Sequence, residues 1–176
     1  NKLTGGLRQL AKQRKVDVVT GVGKFVDQHH ISVTKDGVET LIYFDNCIIA
    51  AGSQATQIPV FPNDDERLMD STDALDLTSV PKKLLIVGGG IIGLEMATVY
   101  DALGSEVSVV EFMDSLIPGC DKDLVRPLSK RISKKYKAIY LNTKVSDIKP
   151  QKNGLKVSFE GAKAPEPLVY DKVLVA

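Results

Sequence analysis

Residues 84 to 111 read LLIVGGGIIGLEMATVYDALGSEVSVVE. The stretch holds an apolar run, a cluster of glycines, a helical pattern and a second apolar run closed by an acid. Gly88, Gly90 and Gly93 fit the pattern G-x-G-x-x-G. Each has a physical task. Gly88 permits the tight turn out of the strand. Gly90 lets backbone approach a pyrophosphate, where a Cβ would collide. Gly93 lets the helix pack closely on the strand. Amides opening that helix would point at phosphates, and the helix dipole favours the negative charge. Three glycines alone are weak evidence, because a tight turn without a ligand also uses them. Their setting adds weight: a strand before, a helix after, and a second strand ending in Glu111.

Glu111 narrows the choice of nucleotide. A carboxylate there accepts hydrogen bonds from the ribose hydroxyls of an adenosine and repels a 2′-phosphate. An NADP site calls for Arg or Lys nearby, and the following FMDSLIP has neither. NAD is favoured over NADP. FAD also carries a free 2′-hydroxyl, so the acid does not separate NAD from FAD. Glu95 follows two residues after Gly93. It reads either as an acid favoured by the helix N-terminus or as a contact at the far end of the dinucleotide.

Outward from this stretch, from Pro81 on, strand and helix alternate: strand 83–88, helix 91–103, strand 106–111, helix 121–135 and strand 138–142. Short strands follow near 145–149, 155–160 and 167–170, and KVLVA closes the pattern. The alternation implies an α/β fold with a parallel sheet. Before Pro81 the character differs. Leu3, Leu7, Leu10 and Ala11 recur at helical spacing over 3–14. VDVVTG, GKFVD, HHISVT and VETLIYF read as an antiparallel meander with a hairpin at Asp36-Gly37. CIIAAG, at 47–52, is continuously apolar, like a strand buried on both faces. Residues 53–80, with Pro59, Pro62 and NDDE, read as a linker with a short helix at 72–76.

Composition excludes several classes. The chain is 43% hydrophobic and 26% charged with net charge +1, an ordinary globular balance that gives no argument for nucleic acid or an anionic membrane. No apolar run is long enough to span a bilayer, and NKLTGGLRQLAKQRK has no signal-peptide core. Without an initiator Met the chain reads as a fragment. Cys47 and Cys120 form no CxxC or CxxxxC pair. Cys47 reads as a small hydrophobe in a strand, Cys120 as a loop residue, and a reducing, cytoplasmic setting fits both. KRISKKYK at 130–137 reads as a cation-rich helix C-terminus, since no aromatic platform accompanies it. Asp114, Asp121 and Asp123 lack the spacing of a calcium loop, and Asp121 suits a helix N-cap. His29 and His30 read as surface residues.

Across nearly its whole length the chain resembles the dihydrolipoyl dehydrogenase family. These are flavoprotein E3 components of 2-oxo acid dehydrogenase complexes, within the class I pyridine nucleotide-disulfide oxidoreductases. The likeness is greatest to the bacterial pyruvate-complex enzymes. The matching segments are NKLTGGL, FDNCIIAAGS, DSTDALDL, VGGGIIGLEMATVYDALGS, VVEF, DKDLV, KRISKKY, NTKV and YDKVLVA. By this resemblance residues 1–56 are the tail of an FAD-domain segment, with a helix, a meander and one strand. Residues 57–80 are a linker, and 81–176 are a Rossmann-like NAD-binding domain with a parallel sheet and a β-meander. The family's FAD fingerprint precedes this region, so the fingerprint here takes NAD.

The resemblance also implies site residues. Gly88, Gly89, Gly90, Ile91, Ile92 and Gly93 would form the pyrophosphate turn, Glu111 would hold the adenosine ribose, and Val145 would border the adenine. Glu95 would lie at the nicotinamide end, near the flavin. Gly23 would let backbone reach the FAD adenine, and Ala51, Gly52 and Ser53 would border the flavin nucleotide. The family often has Thr at the position of Ala51, which offers no hydroxyl. The family's redox-active CxxxxC and its acid/base His-Glu pair do not occur in these residues. In the intact protein, dihydrolipoyl thiols would reduce the disulfide and electrons would pass through FAD to NAD. The implied partners are a lipoyl domain and a second copy in a homodimer, and the fragment alone is expected to be inactive. Competing readings are an NAD(H) sensor without catalysis and another NAD-linked disulfide flavoreductase. CIIAA would be a central strand whose neighbours precede Asn1, so its edge is expected to be covered by an oligomer contact or poorly ordered.

Overall fold

The computed structural model describes residues 2–176, with side chains from Thr4 onward, so the side chain of Leu3 lies outside the described residues. The chain divides into two compact units, residues 1–52 and 53–176.

The first unit opens with α1 (Lys2–Gln13). Strands β1 (Val22–Phe25), β2 (His30–Lys35) and β3 (Val38–Tyr43) form an antiparallel sheet in sequence order. Asp36 and Gly37, with φ of 51° and 80°, turn β2 into β3. Positive φ at both central residues matches the twist of the flanking strands, which is why Asp-Gly serves there. His29 is exposed and His30 half-buried, its Nδ1 2.9 Å from Asp27 Oδ2.

Two expected strands are absent from this unit. Residues 16–20 are irregular, and so are 47–52, where Ile48 and Ile49 are 92% and 73% exposed. A strand persists only where a neighbour takes up its N–H and C=O groups, and no described strand pairs with either segment. Continuous apolarity at 47–52 signals burial, but burial needs a covering layer that is not among the described residues. Cys47 is accordingly exposed rather than a buried strand hydrophobe.

The second unit is a βαβ layer structure. It comprises β4 (Leu68–Met69), α2 (Ser71–Asp76), β5 (Lys83–Val87), α3 (Ile91–Ala102), β6 (Glu106–Val110), α4 (Lys122–Ile132) and β7 (Ala138–Tyr140). A meander of β8 (Lys144–Gln151), β9 (Gly154–Glu160) and β10 (Leu168–Tyr170) then leads to β11 (Lys172–Val175). The main sheet is parallel, in the order β4-β11-β5-β6-β7. The strand order reverses beside β5, the kind of switch point at which doubly wound sheets bind ligands.

Side chains of β5 alternate between two cores. Leu84 and Ile86 join Val107, Val109 and Leu174 under the helices. Leu85 faces the other way, with Val110, Val173, Leu155 and Val157 under the meander. A strand covered on both faces must be apolar throughout, as LLIV is. The expected linker is partly built into this unit: β4 pairs with β11, Met69 and Ala74 are buried, and Tyr100 Oη donates to the Ala74 carbonyl at 2.9 Å. Asp70 and Asp73 form a capping box on α2.

Helix α4 ends at Ile132, three residues short of the expected limit, with Lys130 and Arg131 in its last turn. Lys135 and Lys137 lie 3.6 Å from Asp101 and Glu106, so part of the basic run is paired locally. Asp121 occupies the N-cap position of α4, but its side chain makes no capping bond. Its backbone carbonyl accepts from Leu124 and Val125 instead, and Asp123 Oδ1 also accepts from Leu124 N–H.

Candidate dinucleotide-binding site

The glycines of the β5–α3 turn differ in what demands them. Gly88 has φ of 115°, and a Cβ there would overlap the carbonyl of Ala176 at the end of β11. A Cβ on Gly93 would overlap the Gly88 carbonyl and press on Ile86 Cγ2 at 3.1 Å. Gly90 is different: its φ is −76°, which any residue adopts, and a Cβ there would meet no atom within 4 Å. Nothing in the protein requires its smallness.

Helix α3 starts without a side-chain cap and without an acid in its first turn. Among the described residues, the amides of Gly90, Ile91 and Ile92 have no acceptor. A helix start with free N–H groups and no acid in its own first turn favours a negatively charged ligand. Glu95 is exposed and lies beyond that first turn. The dipole effect fades within one turn, so of the two readings of Glu95 the acid favoured by the helix start has little to act on.

Glu111 follows β6 and is 8% exposed. Its carboxylate is anchored at both oxygens: Oε2 accepts from Gly89 N–H at 2.7 Å and Oε1 from Met113 N–H at 2.7 Å. Its backbone N–H donates to Tyr140 and its carbonyl accepts from Thr143. Each carboxylate oxygen retains a further lone pair for a ligand hydroxyl. Beside it lies a cavity of about 410 Å³ whose lining includes Gly88, Glu111, Val145, Phe61, Val175 and Ala176. The structure thus brings together Gly88, Glu111 and Val145, three residues separated in sequence. Val145, in β8, is itself 5% exposed.

A second cavity, of about 520 Å³, is lined by Ser53, Gln54, Asp70, Ser71, Thr72 and Ile92 among others. It joins Ser53 to the start of α3. Gly23, Ala51 and Gly52 belong to the first unit, and all three are exposed. The contribution of the loop after Glu111 is not read from residue types: Leu116 is buried on Gly89, and Ile117 N–H donates to the Gly89 carbonyl at 2.9 Å. The available signal is Pro118-Gly119, a turn pair fixing the loop just beyond them.

Both cysteines are free and exposed. Among the described residues no group of His, Cys, Asp and Glu is arranged to hold a metal, and no helix is long and apolar enough to cross a membrane.

The sequence profile of the pyridine nucleotide-disulphide oxidoreductases matches residues 1–176. A dihydrolipoyl dehydrogenase of Vibrio parahaemolyticus is 54% identical over 100% of this chain and 37% of its own length. The chain spans about 37% of the length of the curated relatives it matches. Among solved structures, the HOCl-induced flavoprotein disulfide reductase RclA of Escherichia coli superposes with a TM-score of 0.82. It is 28% identical, over 98% of this chain and 38% of that one. LpdA of Mycobacterium tuberculosis has the same fold, with a TM-score of 0.88 at 22% identity over 99% of this chain and 39% of its own.

Proposed function

The chain belongs to the pyridine nucleotide-disulphide oxidoreductase family, and from that premise we propose that residues 53–176 hold NAD within a dihydrolipoyl dehydrogenase. The observation carrying this reading is the turn at Gly90, where the amides opening α3 have no acceptor and a Cβ on Gly90 would meet no protein atom within 4 Å. Backbone N–H groups at a helix start are a ready anion site, and a pyrophosphate fits them.

In this reading Gly88 through Ile92 bind the pyrophosphate, with Gly93 keeping the helix close. The cavity beside β6 takes the adenosine, Glu111 accepts from its ribose hydroxyls, and Val145 borders the adenine. Anchoring at two backbone amides holds the Glu111 carboxylate where a 2′-phosphate would be repelled. Glu95 stands on the side of α3 assigned to the nicotinamide, and Gly23, Ala51, Gly52 and Ser53 border FAD. Bound NAD supplies a hydride acceptor, while these residues bind and orient it. The whole protein would serve a lipoyl domain of a 2-oxo acid dehydrogenase complex as a cytoplasmic homodimer. Cys47 and Cys120, both free, do not supply a redox disulfide of CxxxxC type, so these residues alone would not catalyse the reaction.

Gly90→Ala tests the reading. The fold should tolerate it, since the added Cβ meets nothing, and stability should fall by no more than about 1 kcal/mol, the cost of alanine in place of glycine at this N-cap position. NADH affinity should fall by roughly tenfold or more, as one well-placed steric conflict is worth over about 1.4 kcal/mol. Unchanged NADH affinity would remove the pyrophosphate from this turn.

A further inference from the structure

Gly89 is held at both ends of its backbone. Its N–H donates to Glu111 Oε2 at 2.7 Å, and its carbonyl accepts from Ile117 N–H at 2.9 Å. Leu116 closes the side between them: a Cβ on Gly89 would stand 2.7 Å from Leu116 Cδ2. No peptide in the described chain is cis. In a trans peptide the carbonyl and the next N–H point in opposite directions. Fixing the Gly89 carbonyl on Ile117 therefore aims the Gly90 amide away from the 116–117 loop. That amide is the first of the donors without acceptors at the start of α3. If the Gly89–Gly90 peptide turned over, it would present an oxygen where a phosphate needs a donor.

Ile117 holds this carbonyl from an unusual conformation. Its φ is 45°, rare for a β-branched residue. Such backbone persists only where its surroundings over-determine it. Here a turn does so: Cys120 N–H donates to the Ile117 carbonyl at 3.1 Å, across Pro118 and Gly119. Proline at the second position and a glycine with φ of 90° at the third give the type II form.

We propose that Ile117 is a positioning residue for pyrophosphate recognition, acting through its backbone N–H on the Gly89–Gly90 peptide. This rests on the reading of the turn as a dinucleotide site. The ligand class is a nucleoside pyrophosphate, and the residue touches the turn rather than the ligand.

An amide-to-ester replacement at residue 117 removes the N–H and keeps the side chain. NADH, ADP and adenosine would be titrated against the wild-type chain and the ester form. NADH and ADP should weaken by about five- to tenfold, the worth of one hydrogen bond, and adenosine should bind as before. Gly119→Ala offers a genetic counterpart, straining the turn at φ of 90° without a steric clash. It should give the same ligand-selective loss with a folded thermal transition retained. Equal weakening of all three ligands, or of none, overturns the positioning role. A wild-type chain that binds ADP no better than adenosine instead overturns the site reading itself.

Discussion

Replacing Glu111 with alanine should destabilise the protein even with no nucleotide present. The buried carboxylate accepts from Gly89 N–H and Met113 N–H, each at 2.7 Å. Alanine leaves both amides without their acceptor. A buried donor left unpaired costs about 1–3 kcal/mol. Glu111 borders a cavity of about 410 Å³, large enough to hydrate the freed amides, so the lower end applies, giving about 2 kcal/mol for the pair. For a chain of this size that is a fall in Tm of roughly 4–8 °C. Glu111→Gln keeps one carbonyl oxygen and one of the two bonds, and should lose about half as much. The assay is thermal unfolding by circular dichroism without ligand, supported by urea midpoints. Melting of Glu111→Ala indistinguishable from wild type would refute the anchoring of the carboxylate by the turn. It would also leave Glu111 a role in ligand contact alone.

Gly93→Ala should cost about 3 kcal/mol in urea unfolding, because its Cβ would overlap the Gly88 backbone carbonyl, which cannot swing aside; a cost under about 1 kcal/mol contradicts the packing described. Asp65 is held below the usual aspartate range by the Arg67 side chain, which donates to it from Nε and Nη2 at 2.9 and 2.7 Å. A depressed carboxyl stabilises the fold above its unfolded value, about pH 4, and that share is lost as pH falls through the lower folded value. Asp65→Asn should therefore cost about 1 kcal/mol at pH 7, with urea midpoints converging on wild type in strong acid; a gap that does not shrink would rule the ion pair out as its source. The Tyr170 hydroxyl is buried with no hydrogen bond of ordinary geometry, and burial pushes it up to about 12. Its raised value means stability present below about pH 10 and lost as pH rises toward the folded value, so Tyr170→Phe should be neutral or up to about 1 kcal/mol stabilising at pH 7 and should flatten the alkaline limb of a stability–pH curve.

The second unit was legible in sequence because its signals are local and agree with one another. LLIV is apolar throughout, as a strand covered on both faces must be, and two of the three fingerprint glycines meet a demand of the fold itself, positive φ at Gly88 and close packing at Gly93, while Gly90 stands in open space. The acid at the end of the next strand falls on the cavity that Val145 also lines. What escaped reading depends on partners. Residues 47–52 have the composition of a central strand but no described neighbour to pair with. Two-residue β4 is too short for periodicity and exists because β11 offers it an edge. Ile117 is a β-branched residue before proline, and residue type alone argues for extended backbone there. Its left-handed conformation follows from the Pro118–Gly119 turn and the Gly89 carbonyl, neither visible at its own position.

The most direct test of the central claim is a paired titration of the wild-type chain with NADH and NADPH at constant ionic strength. The anchored Glu111 carboxylate, with no Arg or Lys among residues 112–117, predicts that NADH binds at least tenfold more tightly, since bringing a phosphate dianion beside a fixed carboxylate costs more than about 1.4 kcal/mol. Equal affinity, or preference for NADPH, would contradict the assignment of this site to NAD.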